Sequence, residues 1–206
     1  MAYARPVQHC PGHLLSVAQG LMAEVGYGAM SMRQLAARAG LQPGSLYHHV
    51  ASKQDLLLDV LLNILAQRLK AWRRGPYTRD LRGYLRFLLA RQVSHPCEAL
   101  LLRHESRHVE AGQRAWLEQA LSRSHAPLCQ LIEQGQQQGH FNVLDSAGTA
   151  EAILALVDTA EGMRHRPVPV DEARIEAWVM QMSLALLSAC PPGKQHVRST
   201  RLTGTA

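Results

Sequence analysis

SMRQLAARAGLQPGSLYHHV, residues 31 to 50, is the stretch whose reading decides the fold. Ser31 suits the N-cap of a helix, and Gln34 three residues on completes a capping box, in which each residue satisfies a backbone N–H that the first turn leaves open. Met32, Leu35, Ala36 and Ala39 recur at helical spacing and form one apolar face. Gly40 can take the positive φ needed to leave that helix, and Leu41 follows as an expected core residue. A second helix is expected from about Gln42 to Val50, with Leu46 and Val50 facing inward. Gly44, Ser45, Tyr47 and His48 then face outward. An aromatic, a hydroxyl and an imidazole beside a glycine that permits close approach suit a DNA major groove.

The flanking residues strengthen this reading. Ser52-Lys53-Gln54-Asp55 is a second cap-like start, leading into the apolar helix LLLDVLLNILAQRLKAW. Lys53 in its first turn combines an ammonium with open backbone N–H groups, a combination suited to a DNA phosphate. Net charge is +6 over 206 residues, and its distribution is uneven. Up to Gly75 there are eight Lys or Arg against three acids; the remainder has fourteen against thirteen. Positive charge therefore gathers on the segment that would neutralise phosphates. Part of it, Arg68 to Arg74, is expected to solvate the end of the long helix.

The chain resembles the TetR family of bacterial transcriptional regulators. The resemblance runs through Glu24-Val25-Gly26-Tyr27, Ser31-Met32-Arg33, Leu35-Ala36 and Ala39-Gly40-Leu41. It continues in Ser45-Leu46-Tyr47-His48-His49, Ser52-Lys53 and Leu56-Leu57, covering residues 10 to 60 in order and without gaps. It implies a three-helix DNA-binding domain, a helical ligand domain that dimerises, and repression relieved by a small molecule. On this likeness Gln42, Pro43, Gly44, Ser45, Tyr47 and His48 would meet base edges and backbone, while Ser31, Arg33, His49 and Lys53 would hold phosphates. Two departures stand out. The arm before Gly12 carries only Arg5 where the family is often more basic, and Leu21-Met22 replaces a usual aromatic.

Beyond the helix-turn-helix the chain reads as helical throughout. The first helix is expected from Gly12 to Val25, with Leu14, Ala18, Leu21, Met22 and Val25 as its stripe and Gly26 as its end. After Gly75-Pro76, helices are expected at 79–94, 96–110, 112–139 (bent at Pro127), 146–165 and 171–189. No run alternates with period two. We therefore expect an all-α chain of about nine helices. An N-terminal three-helix DNA-binding domain would occupy 1–60, with its helix-turn-helix at 31–50. A ligand-binding and dimerisation domain would occupy 61–190, and a polar tail expected to be disordered 191–206. Ala152, Ile153, Leu156, Val157 and Ala160, with Ile175, Trp178, Val179, Met182, Leu186 and Leu187, make two apolar faces suited to a four-helix dimer interface. The expected partners are a palindromic double-stranded operator, a second copy of the chain and a small-molecule effector, with no cofactor.

No secretory leader or membrane span is expected, because Met1 to Cys10 leads into no apolar run and every long apolar stretch is interrupted. Cys10, Cys97, Cys129 and Cys190 include no C-x-x-C pair, which suits a reducing cytoplasm, with a thiol sensor as the lesser possibility. His104-Glu105-Ser106-Arg107-His108 matches H-E-x-x-H, which on one helix would set two imidazoles on a zinc ion. The third ligand is missing: Ala111, Arg114 and Leu128 stand where known patterns place a glycine, a histidine and a glutamate. A zinc hydrolase is thus an alternative without a complete site, and no enzyme is expected. A metal-responsive regulator would use His104 and His108 with His95 or Cys97. A helical interaction module would keep Leu46 and Val50 but need neither Lys53 nor an outward Tyr47. Arg82 with Arg86, and Arg103 with Arg107, share helix faces and, if turned inward, would favour an anionic effector.

Overall fold

The computed structural model describes residues 10–168 and 170–188. Arg5 and Pro6 of the arm, Pro169, Cys190 and the tail from Pro191 to Ala206 lie outside the described residues. Nine α-helices and one 3₁₀ turn, with no strand, make up the secondary structure among the described residues.

Helix α1 (Gly12–Ala29) buries Leu14, Ala18, Leu21 and Met22 on one stripe. Val25 does not join it and is 43% exposed. At Gly26 (φ 79°) the backbone leaves helical geometry, the register of the buried face shifts, and Tyr27 turns into the core instead. Helix α2 (Met32–Arg38) starts with the capping box: Gln34 N–H donates to Ser31 Oγ at 3.1 Å, and Ser31 N–H to Gln34 Oε1 at 2.8 Å. It ends with Gly40 at φ 67°, Leu41 N–H bonding Ala36 O and Gly40 N–H bonding Ala37 O. That pair of bonds is a Schellman motif, open to glycine because it needs the left-handed region. Leu41 is only partly buried, packing on the edge of the core rather than inside it.

Helix α3 (Pro43–Leu46) is shorter than the expected 42–50. Pro43 occupies its first turn, and the N-cap residue Gln42 makes no side-chain capping bond. From Tyr47 onward the chain tightens, His48 N–H bonding Ser45 O and His49 N–H bonding Leu46 O, the three-residue pattern usual at helix ends. Leu46 and Val50 are buried as their spacing requires.

Helix α4 (Lys53–Arg74) is capped by Ser52, whose Oγ accepts from Asp55 N–H at 3.0 Å. It crosses both cores. Leu56 to Leu65 pack with α1, α2 and α3, whereas Trp72 belongs to a second core with α5 (Leu81–Ser94), α7 (Ala111–Gln137), α8 (Ser146–Arg164) and α9 (Glu172–Leu187). The first core also takes in Leu101, Val109 and Leu117, from outside the helix-turn-helix segment. Helix α7 runs on through Pro127, and Phe141 folds back so closely on Gly135 that a Cβ there would lie 2.0 Å from its ring.

Where one helix is expected over 96–110, α6 (Pro96–His104) stops and a 3₁₀ turn (Ser106–His108) follows. Ser106 Oγ donates to Leu102 O at 2.6 Å, competing for the backbone acceptor of the preceding turn. The turn lets Val109 enter the first core. The apolar faces of the last two helices also divide. Ile153, Val157, Ala160, Ile175, Val179 and Leu187 are core of this chain, while Ala152 and Leu186 are exposed and Leu156, Trp178 and Met182 partly so. No helix among the described residues is long and apolar enough to cross a membrane.

Candidate nucleic-acid interface and regulatory cavity

The helix-turn-helix presents a polar outer face. Arg33, Gln42, Pro43, Gly44, Ser45 and His48 are exposed, as is Ser31; Tyr47 is 57% exposed, and His49 is half-buried. An exposed tyrosine directly beside the fully buried Leu46 is an aromatic aimed by the core beneath it. Arg38, by contrast, is paired with Glu24.

Lys53 is less available than its position suggests. Its ammonium donates to Gly28 O in the last turn of α1 at 3.1 Å and lies 4.5 Å from the centroid of the Tyr27 ring. A helix C-terminus and an aromatic face both attract a cation, so Lys53 pins α1 to α4 and has only its remaining donors for a phosphate. Beyond Tyr27, whose phenol pKa is raised by burial, lies the His108 ring at 5.5 Å.

The H-E-x-x-H segment does not form one helix face. The helix ends at His104, which is exposed, while His108 sits in the next turn with Nε2 3.6 Å from Glu105 Oε2. Among the described residues no group of three or more His, Cys, Asp or Glu is placed to hold a metal ion. What the segment does instead is tie elements together: Gln54 Nε2 donates to His108 O at 2.9 Å, and beside it Gln113 Nε2 of α7 donates to Asp55 Oδ1 of α4 at 2.8 Å. Burial pushes the Cys10 thiol up to about 11 and raises Cys129 as well, in each case disfavouring the thiolate.

A cavity of about 200 Å³ lies among α4, α5, α6, α7 and α8. Leu88, Leu121 and Leu154 give it apolar walls, and Arg68, Arg91, Arg103, His125, Glu98 and Asp158 its charge. Arg91 holds the buried Glu98 through two bonds of 2.7 and 2.6 Å. Arg103 reaches Glu161 at 3.1 Å and Asp158 at 3.9 Å. Burial lowers the pKa of His125 and raises that of Asp158, in each case disfavouring the charged form. Of the arginines paired by spacing, Arg82 and Arg107 are exposed and Arg86 bonds Glu176; only Arg103 reaches this cavity. Arg68 does not solvate the helix end. It lies four residues after Ile64 and four before Trp72, inside the buried stripe of α4, a spacing that marks it in the sequence.

The sequence profile of the bacterial regulatory proteins, tetR family, matches residues 14–60, and that of the tetracyclin repressor-like C-terminal domain matches 75–161. The chain belongs to the TetR family of bacterial transcriptional regulators. Its TetR-family relatives include the HTH-type transcriptional repressor KstR2 of Mycobacterium tuberculosis H37Rv, 26% identical over 137 residues, 63% of this chain and 68% of the relative. In fold it is similar to a tetR-family regulatory protein from Rhodococcus RHA1 (TM-score 0.73, 20% identity, 87% of this chain and 97% of the other). It is also similar to AibR in complex with isovaleryl coenzyme A and operator DNA (TM-score 0.69, 20% identity, 82% and 95% covered). As a TetR-family protein this chain is a DNA-binding transcriptional regulator.

Proposed function

We propose that the protein is a repressor that binds a palindromic operator as a homodimer and is released by a small molecule in the α4–α8 cavity. The exposed face of the helix-turn-helix, with Tyr47 at its centre, carries this reading. Gln42, Pro43, Gly44, Ser45, Tyr47 and His48 meet bases and backbone, and Ser31, Arg33, His49 and the spare donors of Lys53 hold phosphates. A reading helix of four residues contacts too few base pairs for useful specificity, so two copies on half-sites one helical turn apart are required. The outer faces of α8 and α9, with Leu156, Trp178, Met182 and Leu186, would join them.

Coupling runs along α4. From Lys53 at the helix-turn-helix to Arg68 at the cavity is about 22 Å of one continuous helix. An effector that fits only one setting of α4 against α6 and α7 shifts the spacing of the two reading heads, by no more than its differential affinity for the two settings. The repressor relatives and the AibR complex with acyl-CoA and operator support such an arrangement. The bacterial cytoplasm is the working compartment, and no enzymatic step is assigned.

Purified protein mixed with random genomic fragments, followed by sequencing of the bound DNA, tests the reading. A recurrent palindrome is expected. Binding without any shared sequence would sink it.

A further inference from the structure

Arg68 stands where the stripe of α4 otherwise carries leucine, isoleucine and tryptophan. Its Nε is shut off from solvent and has no hydrogen-bond partner, and no ion pair to it occurs among the described residues. The other two arginines of the cavity are accounted for, Arg91 by Glu98 and Arg103 by Glu161 and Asp158. Burial lowers the pKa of the Arg68 guanidinium, a sign that its charge is poorly compensated. The nearest acids are weak competitors for it. Glu98 is held by Arg91, and Asp158 is shared with Arg103. Arg68 as a whole is half-buried, and a partly desolvated cation with no anion in contact weakens a ligand-free fold, while a planar guanidinium fork is shaped for a carboxylate.

We propose that Arg68 is the anion-binding group of this cavity and that the effector is a small organic acid. Its carboxylate would pair with the guanidinium, and its apolar body would lie against Leu88, Leu121 and Leu154. A cavity of about 200 Å³ suits a short acyl chain rather than a polycyclic body. This rests on the reading of the cavity as the effector site.

The test uses the full chain, with straight-chain acids from butanoate to octanoate, the matching alcohols and the matching amines. Thermal unfolding and calorimetric titration report binding, and operator-DNA anisotropy reports release. At least one acid raises the unfolding midpoint, whereas its alcohol and amine do not. Arg68→Met keeps the apolar stem and removes the charge. It raises the ligand-free midpoint and weakens the acid at least about tenfold, the loss of one charge-assisted pair. Arg68→Lys retains the cation without the fork and keeps a weaker response to the same acid, whatever the stability of Arg68→Met. Equal shifts from acid and alcohol, an undiminished response in Arg68→Met, or no response to any acid in a protein that binds its operator would each overturn the Arg68 proposal. An acid that binds through Arg68 yet leaves the operator complex intact would uphold that proposal and overturn effector release.

Discussion

The side-chain amide of Gln54 donates to the backbone carbonyl of His108 at 2.9 Å, bonding the first turn of α4 to the 3₁₀ turn that follows α6. Helix α6 lines the cavity and α4 leads out of the helix-turn-helix, so this bond joins a wall of the cavity to the helix that supports the helix-turn-helix. Gln54→Ala should lower stability by about 1 kcal/mol, the usual loss for a partly buried hydrogen bond. Its sharper effect should be functional: operator affinity without effector stays near the parent's, while the effector releases less DNA. Denaturant unfolding and anisotropy titrations with and without effector separate the two. A variant released as fully as the parent would show that the signal travels elsewhere.

Tyr47 projects from the outer face of the helix-turn-helix with little packing of its own. Tyr47→Ala should abolish operator binding while leaving helicity unchanged and stability within about 0.5 kcal/mol. Arg33→Ala should behave differently, weakening all DNA alike and reducing the slope of log affinity against log salt by about 1. Binding curves on operator and on scrambled DNA across a salt series distinguish a base contact from a phosphate contact. Parental operator binding by Tyr47→Ala would mean that the reading face is misassigned.

Gly26 has φ 79°, and a Cβ there would meet only Glu105 Oε1, at the ordinary distance of 3.7 Å. The cost of Gly26→Ala is therefore one of backbone conformation rather than collision: ψ 153° puts it in an extended positive-φ region kept for glycine, at about 1–3 kcal/mol. Because this kink turns Tyr27 toward Lys53, the variant should also weaken operator binding. Denaturant midpoints check the first effect and fluorescence anisotropy the second.

His125 at the cavity has its pKa lowered below 6.5, chiefly by burial, with Arg68 acting in the same sense against Glu151 and Asp158. The unfolded chain therefore takes up this proton at a higher pH than the folded chain does. Stability from His125 is present above 6.5 and is lost as pH falls through the lowered folded value. His125→Gln should flatten this part of the stability profile between pH 7 and 5, measured by thermal unfolding. An unchanged profile would show that other groups dominate there.

Much of the helix-turn-helix was legible because its determinants are local. Ser31 and Gln34, or Ser52 and Asp55, bond within one turn, and Gly40 closes its helix with carbonyls already in place. The burial of Leu46 and Val50 follows from spacing alone. Val25 failed for a local reason that periodicity misses, since the kink at Gly26 changes the register of the stripe.

The remaining features depended on which helices pack together. The sequence by itself determined the order of helices, their caps, the exposed outer face of the helix-turn-helix and the family, because these rest on contacts within about one turn or on motifs read in order. Only the tertiary structure decided that α6 breaks at His104, that Lys53 binds Gly28 and Tyr27, and that the stripes of α8 and α9 divide between core and outer face. It also decided that Arg68 turns into a cavity rather than into water. An arginine in an apolar stripe has the same local helix either way; whether its charge is solvated, paired or stranded depends on residues as distant in sequence as Asp158, brought near only by packing.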